Sequence, residues 1–200
     1  MVGTAETAAV LDGLVFFGSR NCEMYALHAS NGSVAWHAKQ HGVLDLSSPT
    51  VGTTPRPDGR LQGTVFFGTD PTSQNSSVVA LGGADGVEVW MRAAPTTGIG
   101  SAPVLSPDAR VVYIGVPMSE STSGGMWALS TSTGALLWEY STASFRRNGL
   151  QGNPAVSSNG VLVFGACDCT VTALNASDGV PLRALSTSTD VGLGQCRGCL

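Results

Sequence analysis

The chain has 200 residues, of which 42% are hydrophobic and only 12% are charged, and its formal net charge is −4. This length fits one all-β domain or a run of repeats better than two independent domains. The ten Lys and Arg residues are scattered, so no binding surface for nucleic acid or for an anionic membrane is expected. No stretch approaches the roughly 18 consecutive apolar residues of a membrane span, so none is predicted.

The first recurring element along the chain is a short strand opened by a small residue or proline. Proline is tolerated at the start of a strand, where its missing N–H is not needed. Near the N-terminus the chain has only Ala8-Ala9-Val10-Leu11 in this place. The later copies are Ser48-Pro49-Thr50-Val51, Ala102-Pro103-Val104-Leu105 and Asn153-Pro154-Ala155-Val156.

The second element is an apolar strand that ends in glycine, and it occurs four times. Its β-branched and aromatic residues favour a strand, and a glycine in such a run indicates close approach of another backbone or a large side chain. The four copies are Val15-Phe16-Phe17-Gly18, Val65-Phe66-Phe67-Gly68, Val112-Tyr113-Ile114-Gly115 and Leu162-Val163-Phe164-Gly165.

The third element is a hairpin that starts at an Ala-Leu pair. Its glycine follows the alanine by six residues in every copy, and a Trp, or Arg183 in the last copy, follows by ten. Such fixed spacing indicates a tight turn in which glycine supplies a positive φ. The four alanines are Ala26, Ala80, Ala128 and Ala173, and the four glycines are Gly32, Gly86, Gly134 and Gly179.

The hairpins recur with the period of a β-propeller blade. Trp36, Trp90, Trp138 and Arg183 are 54, 48 and 45 residues apart, which is long enough for four short strands in each repeat. No window shows sustained helical spacing of apolar residues, so a helical solenoid is disfavoured. We predict an all-β propeller region of about four antiparallel blades, partial or open, over approximately 5–39, 46–93, 100–142 and 151–186, with a tail at 187–200.

The hairpin resembles the pyrroloquinoline-quinone-like (PQQ-like) repeat, whose motif runs Ala-Leu-Asp-Ala, one residue, Thr-Gly, three residues, Trp. The resemblance covers Ala8 to Leu185 and implies that Trp36, Trp90 and Trp138 pack between neighbouring blades, each with an acceptor for its indole N–H. The motif's Asp is replaced in all four copies, by His28, Gly82, Ser130 and Asn175. Arg183 in place of the fourth Trp indicates a degenerate or terminal blade contact.

Enzymes of this family bind the quinone and a calcium ion on the propeller axis through acidic ligands, a basic residue and a disulfide between adjacent cysteines. The nearest match is Cys167-Asp168-Cys169, which departs from an adjacent pair. We therefore predict no catalytic, cofactor-binding or metal-binding residue, with pyrroloquinoline quinone and calcium kept as the alternative.

The five cysteines leave several interpretations open. Cys22 and Cys169 lie four residues after their strand glycines, which indicates equivalent turns. Cys196 and Cys199 have the C-x-x-C spacing of half a zinc site, which Cys167 and Cys169 could complete. A disulfide, if the protein is exported, and free thiols are the alternatives. The histidines at 28, 37 and 41 form no ligand triplet and are expected to have surface roles.

The leading functional hypothesis is a non-catalytic scaffold that binds a protein partner, like the non-enzymatic family members that assist outer-membrane assembly. The alternatives are a fragment of a quinone- and calcium-dependent alcohol dehydrogenase and an accessory propeller of a larger enzyme. Because four blades of this type would leave the outer two uncovered, self-association through open blade faces is also expected.

Overall fold

The computed structural model describes residues 7–44, 47–71, 76–94, 98–117, 125–141, 152–165 and 170–186. These residues form four antiparallel sheets of four strands, which confirms the predicted four-bladed, all-β propeller region. The sheets do not close into a ring, as expected for a partial propeller. We call the sheets blades 1 to 4 in chain order.

In each blade the strands are hydrogen-bonded neighbours in chain order, and we call the first strand the inner strand and the last strand the outer strand. Blade 1 comprises β1 (Ala9–Leu11), β2 (Leu14–Ser19), β3 (Glu23–His28) and β4 (Val34–Lys39), and the short strand β5 (Gly42–Val43) follows it. Blade 2 comprises β6 (Thr50–Pro55), β7 (Leu61–Gly68), β9 (Ser76–Gly82) and β10 (Glu88–Ala94), and β8 (Asp70–Pro71) pairs with β5. Blade 3 comprises β11 (Val104–Leu105), β12 (Val111–Val116), β13 (Gly125–Ser130) and β14 (Leu136–Ser141). Blade 4 comprises β15 (Ala155–Val156), β16 (Val161–Gly165), β17 (Thr170–Asn175) and β18 (Pro181–Ser186).

The four hairpins at the outer edge have the same geometry, which explains their constant spacing. In each, the alanine pairs directly with the Trp or Arg ten residues later, and a register shift absorbs the extra residue beside it. The turn glycines all have φ between 68° and 73°. The residue before each glycine accepts a hydrogen bond through its side-chain oxygen from the backbone N–H two residues on, as Asp85 does from Val87 at 3.0 Å.

The three tryptophans dock on the next blade, as the resemblance implied. Trp90 lies against the Gly134 turn of blade 3, and its indole N–H donates to the Thr131 carbonyl at 2.8 Å. Trp36 makes the same contact with the Gly86 turn and the Gly83 carbonyl, and Trp138 with the Gly179 turn and the Ala176 carbonyl. A Cβ on any of these turn glycines would lie 2.6–2.7 Å from a ring carbon. The position therefore requires glycine both for its φ and for the space the indole occupies.

Beneath each tryptophan, one face of the blade carries a row of residues that points to the next blade. In blade 2 this row is Thr50, Phe66, Ala80 and Trp90, joined by the strand pairing. The ring centroids of Phe66 and Trp90 lie 5.9 Å apart, and equivalent pairs form in blades 1 and 3. We call this side the forward face and the opposite side the rear face. The three buried apolar clusters of the structure each join one forward face to the rear face of the next blade.

The segments that connect the blades pack against the glycine that ends each second strand. A Cβ on Gly18 would lie 2.6 Å from the Cβ of Leu44, and one on Gly68 would lie 2.4 Å from a methyl carbon of Ile99. This confirms the predicted close approach for blades 1 and 2. Gly165 in blade 4 has no described atom within 4 Å of the equivalent position.

Two buried serines in these connecting segments join three blades by hydrogen bonds near the inner strands. The Ser47 hydroxyl accepts from the Gly68 N–H at 2.8 Å and donates to the Ser101 carbonyl at 2.9 Å. The Ser101 hydroxyl in turn accepts from the Gly115 N–H and donates to the Gly152 carbonyl. These bonds link the inner parts of blades 2, 3 and 4 as the tryptophans link their outer parts.

The opening element of blade 1 aligns one residue earlier than the sequence suggests. Ala9 lies opposite Phe16, just as Thr50 lies opposite Phe66 in blade 2. Ala8 therefore takes the place of Pro49. The sequence alignment over Ala8–Leu11 was off by one because blade 1 has no proline to mark the strand start.

Replacing Gly134 by Ala tests the double requirement at the docking turn. We expect Gly134→Ala to lower the free energy of unfolding by about 2–4 kcal/mol, since it adds the cost of a positive φ to the displacement of Trp90. Gly59→Ala is the matched control, because Gly59 has a φ of 82° and no atom within 4 Å of the added Cβ. Gly59→Ala should lower the free energy of unfolding, measured by urea denaturation, by about 1 kcal/mol. Equal losses in the two variants would contradict the packing role of Trp90.

Candidate functional site

The rear face of blade 1 keeps apolar residues whose counterparts are buried in the other blades. Val15 pairs with Leu27 and Phe17 with Tyr25, as Val65 pairs with Leu81 and Phe67 with Val79 in blade 2. All four residues of blade 2 are at most 1% exposed, because they face blade 1. The four residues of blade 1 are only partly buried, since no described blade precedes them. We call this surface the rear face of blade 1 and treat it as the first part of the candidate site.

Three aromatic rings form a ladder across this rear face. Phe17 on β2 stacks beside Tyr25 on β3 with a centroid distance of 5.6 Å and an interplanar angle of 10°. Tyr25 stacks beside His37 on β4 at 5.7 Å and 21°. The rings are cross-strand neighbours, because Phe17 pairs with Tyr25 and Tyr25 with His37.

A carboxylate network lies at one end of the ladder. The phenol of Tyr25 donates to Glu23, and the side-chain amide of Asn21 donates both to Glu23 at 2.8 Å and to the Tyr25 oxygen at 2.9 Å. Nδ1 of His37 lies 3.4 Å from the second carboxylate oxygen of Glu23. These partners hold the side chains of one exposed surface in a defined arrangement.

The network lowers the pKa of Glu23 from its ordinary value. The hydrogen bond from Tyr25 is the largest cause, and the positive charge of protonated His37 and the amide of Asn21 act in the same direction, against a smaller effect of desolvation. A lowered pKa in the folded state favours the ionised carboxylate. Glu23 therefore contributes stability above its pKa in the unfolded chain, and this contribution is lost as the pH falls through the folded pKa.

The forward face of blade 4 is the second part of the candidate site. Its row is Ala155, Val163, Ala173 and Arg183, so both the aromatic residue and the tryptophan of the other blades are replaced. Val163 is 37% exposed and Leu185, on the same face, is 51% exposed. Arg183 lies on an exposed stretch of β18. This agrees with the degenerate or terminal contact predicted from the sequence.

Two shallow cavities open along the seams between the blades. One, of about 260 Å³, lies between blades 1 and 2 and is lined by Asp12, Phe16, His28 and Gly83 among others. The other, of about 270 Å³, lies near the outer hairpin of blade 2 and is lined by Arg56, Gln62, Asp85, Glu88 and Ser132.

Among the remaining sequence candidates, Cys22 and the three histidines lie in the described residues. Cys22 is a half-buried free thiol in the turn between β2 and β3, with a φ of 66°. Cys167, Cys169, Cys196 and Cys199 lie outside the described residues, so the zinc and disulfide interpretations stay predictions. His37 joins the Glu23 network, although the sequence analysis gave it no specific role. The hairpin spacing could have revealed this, since Ala26 opposite Trp36 places Tyr25 opposite His37.

Comparison with known proteins shows which family the repeat belongs to. Residues 2–180 match the family model described as outer membrane protein assembly factor BamB, a PQQ-like repeat model. The chain belongs to the PQQ-like repeat family. No curated protein sequence matches it significantly.

Solved structures with PQQ-like repeats share its fold. BamB from Moraxella catarrhalis aligns with a TM-score of 0.67 and 18% identity over 97% of this chain and 55% of its own. A europium-containing methanol dehydrogenase aligns with a TM-score of 0.69 and 14% identity over 92% of this chain and 42% of its own. The quinohemoprotein alcohol dehydrogenase from Comamonas testosteroni aligns with a TM-score of 0.68 and 15% identity over 92% of this chain and 35% of its own. The chain thus spans about half or less of these relatives, and the identities support the fold alone.

Within the described ranges, no group of three or more His, Cys, Asp or Glu side chains is placed to hold a metal ion. The carboxylate of Glu23 is engaged by Tyr25, Asn21 and His37 instead. The same part of the chain has no helix that is long and apolar enough to cross a membrane.

Substituting Tyr25 tests the origin of the shifted pKa. We expect Tyr25→Phe to raise the pKa of Glu23 toward its ordinary value, because the largest stabilising hydrogen bond to the carboxylate is lost while the ring remains. The carboxyl carbon shift of Glu23, followed by NMR during a pH titration, measures this directly. Tyr113→Phe is the control, since its phenol donates to the Ala176 carbonyl far from Glu23. An unchanged Glu23 titration in Tyr25→Phe would contradict the network.

Proposed function

We propose that the protein is a non-catalytic PQQ-like propeller scaffold that binds a protein partner through its open blade faces. The observation that carries this proposal is the rear face of blade 1, which presents Val15, Phe17, Tyr25 and Leu27 at the positions that form buried interfaces between the other blades. A contiguous apolar face rimmed by polar groups is typical of a protein-binding surface. Aromatic residues at its centre are typical of the side chains that dominate binding energy.

The chemistry of the site also supports binding over catalysis. Glu23 is ionised and held by hydrogen bonds on an open sheet face, and it does not lie in a water-excluded cleft. A general acid or base at neutral pH would instead need a raised carboxyl pKa. The matched family model is described as an assembly factor, which agrees with a scaffold role.

A cofactor titration distinguishes the scaffold from the fragment of a quinoprotein dehydrogenase. Pyrroloquinoline quinone and Ca²⁺ are added together to the purified chain, and absorbance, thermal unfolding and dye-linked alcohol oxidation are recorded. Ligand at about 100 times its Kd would stabilise the fold by about 2.7 kcal/mol and raise the Tm by roughly 5–10 °C. We expect no saturable absorbance change, no such rise in the Tm and no turnover. Quinone alone and Ca²⁺ alone are the controls.

Saturable binding with alcohol oxidation would overturn the scaffold proposal. It would show that these four blades belong to a dehydrogenase and that residues outside the described ranges supply the ligands.

A further inference from the structure

We infer that the partner of the open faces is a second copy of this chain, joined head to tail, with the forward face of blade 4 packed on the rear face of blade 1. This inference rests on the proposed function, because it names the occupant of the same surface. Its basis is the continuity of the two open faces with the three blade interfaces already present in each chain.

Blade 1 has the turn and the backbone carbonyl on which a tryptophan docks in the other blade interfaces. Its Gly32 turn has a φ of 72°, like the turns at Gly86, Gly134 and Gly179, but no described atom lies within 4 Å of the position where the others meet an indole. The carbonyl of Ala29 occupies the place of the three carbonyls that accept the indole N–H. Ala29 is exposed, so a donor from another chain can reach this site.

The forward face of blade 4 carries the docking position of the interface, but with an arginine in place of the tryptophan. Arg183 stands where the other blades have tryptophan, and its guanidinium combines a flat surface with several N–H donors. Blade 2 shows that an arginine of an outer strand reaches the next blade in this way. Arg92 donates to the Gly134 carbonyl at 3.3 Å and lies 5.3 Å from the ring centre of Trp127. Arg183 would lie over the Gly32 turn and donate to the Ala29 carbonyl.

The apolar contacts of the pair follow from the same equivalence. Tyr140 of blade 3 packs on Phe164 of blade 4, with ring centroids 6.1 Å apart. By strand register, Leu185 is the counterpart of Tyr140, and Phe17 is the counterpart of Phe164. Leu185 of one copy would therefore pack on Phe17 of the other. Burial of these side chains, now half-buried or 51% exposed, favours association.

A contact between two different faces continues either into a closed ring or into an open filament. A closed pair is the smallest assembly that covers every open face, because each chain supplies one rear face and one forward face.

A charge exchange across the interface tests the inference. We expect the wild-type chain to have twice the 20.4 kDa mass of one chain in light scattering after size-exclusion chromatography. Phe17→Glu alone and Leu185→Arg alone should each raise the dissociation constant of the pair about tenfold or more, because each places an unpaired charge against an apolar group at both interfaces. An equimolar mixture of the two variants should restore the pair. It contains one wild-type interface and one in which Glu and Arg face each other.

Two further variants test the Gly32 turn and the substitution at Arg183. Arg183→Trp should tighten the pair, because it restores the side chain that the other three turns accommodate. Adding Gly32→Val to this variant should abolish the gain, since its side chain fills the space for the indole. Leu61→Arg is the control for a new surface charge, because Leu61 is 70% exposed and lies in blade 2. It should leave the mass unchanged, and the thermal melt of each variant at low concentration verifies folding.

A monomeric wild-type chain at all concentrations would overturn the inference, as would a pair that persists in both single variants or a mixture that stays monomeric. Larger open assemblies would overturn the closed pair. A monomer that binds no quinone would leave the scaffold proposal intact, whereas quinone turnover would refute that proposal whatever the oligomeric state.

Discussion

The packing of an indole on a glycine turn is the contact on which the arrangement of the blades depends. Each blade is a four-stranded sheet with apolar residues on both faces, and packing against a neighbouring blade stabilises it by covering them. The Trp90 ring fixes how far blade 3 approaches, and its N–H bond to Thr131 fixes the rotation of the outer edge. The serines at 47 and 101 fix the inner edge by bonds to backbone groups. The tryptophan contacts at the outer edge and the serine hydrogen bonds at the inner edge together set the arrangement of the blades.

The two end faces of the described chain differ in composition from the faces that are buried between blades. The rear face of blade 1 combines aromatic and aliphatic residues with a polar network around Glu23. On the forward face of blade 4, Val163 and Arg183 stand where the other blades have aromatic residues, and Ala173 lies between them.

Much of this fold could be predicted because the repeat constrains it. The constant step from alanine to glycine and Trp fixed the hairpin register, and the strand glycines indicated the close contacts at Gly18 and Gly68. The start of blade 1 was misaligned by one residue, since only the cross-strand pairing of Ala9 with Phe16 determines it. The polar cluster was not predicted, because Glu23, Tyr25 and His37 are side chains that the repeats do not share, although the hairpin spacing implies that Tyr25 lies opposite His37.

The tryptophan contacts also determine how order spreads along the chain. The bonded residues in the three docking contacts are 47, 41 and 38 positions apart, so each contact joins one repeat only to its neighbour. Loops of this length close at a modest entropic cost that hardly depends on the total number of blades. Folding can then begin in any adjacent pair and add blades one at a time. In such a chain the loss of one tryptophan, as at Arg183, weakens a single joint and leaves the rest of the array able to form.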